Sequence, residues 1–131
     1  MKYISSILLI LFFTTCAFKC VKADDGIGGK GGSAYITLMP KLNSSDKNLG
    51  AGKMYIKYNA TEAPANNLFD DSVACVRADT SYYAIFSNIK TGNYFFRYTG
   101  LDNSNGKQVT GDLQYKILQF YDNLFNMTVI E

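Results

Sequence analysis

From residue 33 onward the chain is cut into short runs rich in Tyr, Phe, Ile, Val and Thr, each closed by a cluster of Gly, Asn, Asp or Pro. No apolar spacing of three to four residues lasts long enough to build a helix, so the chain must bury its apolar groups with strands. Ser33 to Met39 reads as a first strand ended by Pro40, and Leu42 to Gly52 as a polar loop. Gly52 to Asn59 alternates, with Met54, Ile56 and Tyr58 on one face and Tyr55 and Lys57 on the other.

Ala60 to Asp71, with Pro64 and Asn66-Asn67, reads as a loop, and Ser72 to Ala78 as the next strand. Tyr82 to Ile89 and Tyr94 to Gly100 flank the turn Lys90-Thr91-Gly92-Asn93, which predicts a hairpin with Tyr94, Phe96 and Tyr98 sharing a face. The pair Asn105-Gly106 suits the positive φ angles of a second tight turn, followed by strands at Gln108 to Leu118 and Leu124 to Ile130. In the last of these Phe125, Met127 and Val129 supply one apolar face. Short strands at this spacing without helices predict an all-β fold, an antiparallel β-sandwich of about seven strands.

The N-terminus has a different character. After Lys2, an apolar and small stretch runs from Ile4 to Phe18, shorter than the ~20 apolar residues a membrane-spanning helix needs. It reads as a signal peptide over residues 1–23. Val21-Lys22-Ala23 fits the small-residue pattern before a peptidase cut, whereas Cys16 and Cys20 each stand where the lipid-modified cysteine of a bacterial lipoprotein can stand; both routes stay open. Residues 24–32, with five glycines, two aspartates and Lys30, are too poor in apolar groups to offset the entropy of ordering and read as a tether, leaving 33–131 as the folded domain. The Gly28-Gly29-Lys30 element is no phosphate loop, because Gly31 stands where Ser or Thr is required.

Removing the leader takes three of the 13 Lys and Arg residues and none of the 11 acids, leaving 10 basic against 11 acidic side chains. A near-neutral surface without a basic run gives no electrostatic reason to expect nucleic-acid binding. Cys75 is the only cysteine beyond the leader, so unless an uncut Cys16 or Cys20 pairs with it, packing rather than a disulfide framework must stabilise the domain; its place in Val73-Ala74-Cys75-Val76 predicts a buried, inert thiol.

The chain has no histidine, which removes the commonest general base and the commonest metal ligand. No catalytic, cofactor-binding or metal-binding set is therefore expected. Asp102-Asn103-Ser104-Asn105-Gly106 superficially matches a calcium loop, but Leu101 would be its first ligand and no Glu closes it, so a hairpin turn accounts for it better. A hydrolase using paired aspartates would need two among Asp70, Asp71, Asp79, Asp102, Asp112 and Asp122 to face each other in a concave pocket.

Strand alternation sends part of the abundant aromatic set outward, and Tyr55, Tyr82, Tyr83 and Phe95 are the candidate residues of an aromatic binding face for a glycan or a protein. Sequons stand at Asn43, Asn59 and Asn126, and Asp71-Ser72-Val73 matches a short bacterial O-glycosylation signal.

The segment Phe86-Ser87-Asn88-Ile89-Lys90-Thr91-Gly92-Asn93-Tyr94-Phe95-Phe96 resembles the hairpin of transthyretin-like (prealbumin-like) domains, also met in carboxypeptidase regulatory-like and collagen-adhesin stalk domains. The resemblance implies a transthyretin-like or immunoglobulin-like sandwich in which Phe86 and Ile89 enter the core, Gly92 turns the chain and Tyr94 re-enters the core. With its leader and glycine-rich stretch, the chain as a whole resembles small exported proteins of Gram-negative bacteria. Such domains serve as stalks, adhesins, accessory modules and, rarely, enzymes, and the hydrolase members rely on histidines, absent here. The expectation is an exported or lipid-anchored, non-enzymatic envelope protein with a binding role, periplasmic, secreted or at the outer membrane, and touching the membrane only through a lipid; a stalk or spacer is the alternative.

Overall fold

A computed structural model of the chain describes residues 26–42, 49–118 and 122–130. The expected leader, both candidate lipidation cysteines Cys16 and Cys20, and the sequon at Asn43 lie outside the described residues. The strands are β1 (Lys30–Leu42), β2 (Lys53–Tyr58), β3 (Asp71–Ala74), β4 (Val76–Ala78), β5 (Ser81–Ile89), β6 (Gly92–Leu101), β7 (Gln108–Ile117) and β8 (Asp122–Val129), with one short 3-10 turn at Ala65–Asn67. They form two four-stranded sheets, ordered β4-β5-β1-β8 and β3-β2-β6-β7. The protein is an all-β sandwich, with eight strands among the described residues where the sequence pattern predicts about seven.

The additional strand comes from the stretch 72–78. Ser72 and Val73 pair with β2 in one sheet, while Val76 to Ala78 pair with β5 in the other, so the run is divided at Cys75. The Cys75 N–H donates to the Gly52 carbonyl at 2.8 Å, and the residue turns into the core as the chain changes sheets.

The connection at Lys90-Thr91 also corrects the pattern, because β5 and β6 are not a hairpin: they lie in opposite sheets. Alternation identifies inward residues equally well whether two strands pair edge to edge or face each other across the core. Here they face each other, with the Phe86 and Phe96 rings 5.7 Å apart across the interior. The burial expected at this corner holds nonetheless: Phe86, Ile89 and Tyr94 are all buried, and Gly92 has φ +143°, backbone that L side chains rarely adopt.

β1 pairs antiparallel with β5 and parallel with β8, so the closing strand adds the sandwich's parallel element. β1 also runs through Pro40. Its pairing with β5 ends at Leu38 opposite Ala84, so the N–H that Pro40 lacks costs no bond in that ladder. The strand begins at Lys30 rather than Ser33, inside the glycine-rich stretch. The Lys90 N–H donates to the Gly29 carbonyl at 2.8 Å, and the buried Tyr94 hydroxyl accepts the Gly29 N–H at 3.0 Å while donating to the Lys90 carbonyl. Composition predicts a tether because it measures apolar content; these residues are held by hydrogen bonds to the β5–β6 corner.

Ile36 and Leu38 from β1, Phe86 and Ile89 from β5, and Met127 and Val129 from β8 meet Met54 and Ile56 from β2, Tyr94, Phe96 and Tyr98 from β6, and Val109 and Ile117 from β7. Each such burial contributes about 1.5–3 kcal/mol before the entropy of ordering is counted. The Asn105-Gly106 turn joins β6 to β7 with Gly106 at φ +72°, and Thr110 bridges to Ile130 across the two sheets.

Candidate functional site

The outer face of the β3-β2-β6-β7 sheet is set by register. Ser72 lies opposite Tyr55, Tyr55 opposite Arg97, and Arg97 opposite Asp112, so these four positions form one row across the sheet. The next row places Lys53, Thr99 and Thr110 side by side, and the one on its other side places Lys57, Phe95 and Gln114 together. Because residues facing inward on the same strands are Met54, Ile56, Tyr94, Phe96 and Tyr98, the outward set is the polar and aromatic remainder.

The loop between β2 and β3 folds over this face. Asn66 and Asn67 both have left-handed backbones, φ 55° and 54°, a conformation that asparagine tolerates better than most residues. The loop is then tied down by Asp70: its N–H donates to the Ile56 carbonyl at 2.9 Å, and its carboxylate accepts the Tyr58 N–H and the Lys57 ammonium, both at 2.7 Å. This anchoring lays the Phe69 ring on the sheet, 5.4 Å from Tyr55 and stacked 6.5 Å from Phe95, and buries Phe95 on an outward face.

Arg97 is the centre of the arrangement. Its Nε and Nη2 donate to the two Asp112 carboxylate oxygens, each at 2.7 Å, and its Nη1 donates to Asn67 Oδ1 at 2.7 Å. The guanidinium lies 5.7 Å from the Phe69 ring centre and 5.8 Å from that of Phe95. The hydrogen bonds to Asp112 stabilise its charged form and raise its pKa. Between these groups is an open groove of about 380 Å³ lined by Tyr55, Asn67, Phe69, Arg97, Thr99 and Thr110, within the ~300–1,000 Å³ usual for small-ligand sites.

Of the four residues expected to form an aromatic face, the fold brings Tyr55 to this groove and buries Phe95 on the same sheet face, against Phe69 and Arg97. Tyr82 and Tyr83 lie on β5 in the opposite sheet, where Tyr82 packs against the core and Tyr83 stands opposite Val76. Strand alternation separates inward from outward within a strand but cannot say which strands share a sheet. Phe69, Asn67, Arg97, Thr99 and Thr110 are site residues that the sequence pattern does not single out. Two signals pointed to them: an apolar Leu68-Phe69 pair inside an otherwise polar loop, and the position of Arg97 two residues from Phe95, on the same strand face.

Among the remaining candidates, Asp71 and Asp102 have structural partners. The Lys30 ammonium meets Asp71 at 2.7 Å, and that bond, with the Ser72 N–H at 2.8 Å, holds the Asp71 carboxyl below the usual range. Buried Asp102 accepts the Ser104 N–H and hydroxyl at 2.7 and 2.6 Å inside the β6–β7 turn, so the calcium-like segment is organised as a hairpin turn. Asn59 and Asn126, the sequons within the described residues, are exposed. Comparison with protein-family models, with curated proteins and with solved structures finds no match to this chain.

Cys75 and Tyr98 give the domain an alkaline limit. Burial pushes the Cys75 thiol from 9.0 up to about 11 and the Tyr98 phenol from 10.0 up to about 12; the Tyr98 hydroxyl donates to the Gly50 carbonyl at 3.2 Å. Both groups hold their protons more tightly folded than unfolded. Their contribution to stability is therefore complete below pH 9.0 and is lost as pH rises through about 11 and 12. Denaturant melts across the alkaline range should show midpoints falling over that window, with a smaller fall in Cys75→Ala. A flat stability profile there would refute the assignment. A thiol reagent should label Cys75 in the native protein only as fast as the domain opens.

Proposed function

We propose that the protein is a non-enzymatic binding module of the cell envelope, an exported or lipid-anchored sandwich of transthyretin-like type, whose outer groove holds a glycan or protein ligand. The observation that carries this reading is the groove itself. An exposed arginine is ordinarily mobile, but Arg97 is pinned by Asp112, Asn67 and two aromatic rings, so its remaining N–H donors and the Tyr55 wall are ordered before any ligand arrives. A spacer needs no such order. Its outward positions can be small and polar, whereas this face presents Tyr55 and Phe69, with Phe95 buried beneath them.

The test is binding of the purified protein to arrays of glycans and envelope proteins, repeated with Tyr55→Ala. Tyr55 is half-buried outside the core, so its truncation should leave the fold standing while weakening binding about tenfold or more, the effect of losing roughly 1.4 kcal/mol of contact. Absence of any captured ligand, or capture indifferent to Tyr55, would return the protein to the stalk or spacer reading.

A further inference from the structure

We infer that the groove recognises an uncharged saccharide unit, with Tyr55 as its stacking wall, Thr99 and Thr110 as hydroxyl partners, and Arg97 as a rigid neutral-pair donor; this rests on the binding-module reading above. Charge is the first argument. The Arg97 guanidinium has five N–H groups, of which two bind Asp112 side by side and a third binds Asn67. Its positive charge is matched at 2.7 Å by a carboxylate whose side chain is 43% exposed. An acidic sugar approaching Arg97 must compete with Asp112 and meets its repulsion, whereas a hydroxyl needs only the N–H donors that these three bonds leave.

The second argument is the pattern of donors and acceptors. Sugar hydroxyls both give and receive hydrogen bonds, and the groove offers both functions in a fixed order. Asn67, which lines the groove, gives its Oδ1 to Arg97 and keeps its Nδ2 hydrogens as donors. Thr99 and Thr110 stand directly opposite each other on β6 and β7, and each hydroxyl can donate or accept. The third argument is the wall. Tyr55 and Phe69 are tilted by 39° with centres 5.4 Å apart, an apolar surface suited to the C–H face of a pyranose ring. A groove of about 380 Å³ accommodates a mono- or disaccharide.

The experiment is titration of the purified full-length protein, by ligand-observed NMR and calorimetry, with neutral gluco-, galacto-, manno- and N-acetylglucosamine disaccharides and with sialyllactose, digalacturonate and a sulfated disaccharide. The expected result is binding of at least one neutral sugar about tenfold or more tighter than any acidic one. Thr99→Val and Thr110→Val, which keep the β-branched shape on the outer face, should each weaken it about tenfold, the effect of one lost hydrogen bond. Asp112→Asn should narrow or reverse the preference by releasing the charge of Arg97. Thermal melts of the variants confirm that they are folded.

Preferential binding of the acidic sugars by the native protein would overturn the inference and leave the groove a ligand site. Binding of a protein, with no sugar bound, would overturn the inference and leave the binding-module reading. Binding of neither would overturn both.

Discussion

Phe96→Ala is expected to destabilise the domain by about 3–5 kcal/mol, the cost of emptying a fully packed aromatic site. Phe96 is fully buried at the centre of the sandwich, stacked 6.0 Å from Tyr94 in its own strand and facing Phe86 at 5.7 Å from the opposite sheet. Its ring is thus one of the places where the two sheets touch. Around the vacancy stand Tyr94 and Phe86, which are held by their own strands and cannot collapse into it without moving backbone. Because small domains are stable by only about 5–15 kcal/mol, a loss of this size should lower the melting temperature by ~15 °C or more. Thermal melts of wild type and variant, followed by near-ultraviolet dichroism, check it. A shift of only a few degrees would mean that the sheets are not joined through this ring. By contrast, Phe95→Ala, one residue away, removes an outward ring covered by Phe69 and should cost less.

Gly92→Ala is expected to cost about 2–5 kcal/mol, from strain at an unfavourable backbone angle and from overpacking against backbone that cannot yield. Gly92 has φ +143°, and a Cβ placed there would run into the Gly28 backbone and come within 2.7 Å of the Gly26 carbonyl oxygen. The neighbouring hydrogen bonds, from the Lys90 N–H to the Gly29 carbonyl and from the Gly29 N–H to the Tyr94 hydroxyl, hold Gly29 against that corner, so relief requires detaching the segment. Amide hydrogen exchange provides the specific readout. In the variant, protection should fall first at Gly29 and Lys90, before the core strands lose theirs. Uniform loss across the domain, or none, would show that the corner does not depend on this glycine. Tyr94→Phe, which removes the hydroxyl but keeps the ring, should reproduce the local loss of protection at a smaller global cost.

The two predictions illustrate different degrees of legibility. The inward sets Met54-Ile56, Tyr94-Phe96-Tyr98 and Met127-Val129 follow from alternation, because a strand's side chains have a period of two whatever the strand pairs with. The position of the β6–β7 turn was legible for a similar reason, although only Gly106 of the pair Asn105-Gly106 takes a positive φ, in a loop closed by hydrogen bonds from Asp102 to Lys107 and from Gly106 to Asp102. The burial of Cys75 was also readable, from its apolar neighbours.

The partners were not readable, as pairing is a non-local choice. The stretch 72–78 presents one continuous pattern, yet Cys75 divides it between sheets because Ser72 has Tyr55 opposite it and Val76 has Tyr83. Lys90-Thr91 has the chemistry of a hairpin turn and instead crosses the core. The strand direction of β8 beside β1, and the extension of β1 through Pro40 and back to Lys30, likewise depend on neighbours distant in the chain.

The same division holds for the groove. Local pattern determined that Tyr55, Phe95 and Arg97 point away from the core, because Met54, Tyr94, Phe96 and Tyr98 beside them point into it. Only the tertiary structure decided that Tyr55 and Arg97 are cross-strand neighbours, that Asp112 faces Arg97, that Phe69 is folded over them from a loop, and that Tyr82 and Tyr83 belong to the other sheet. A single sequence carries the period of a strand in every few residues, while a site assembled from β2, β6, β7 and a loop depends on register, and register is set by the packing of the whole core.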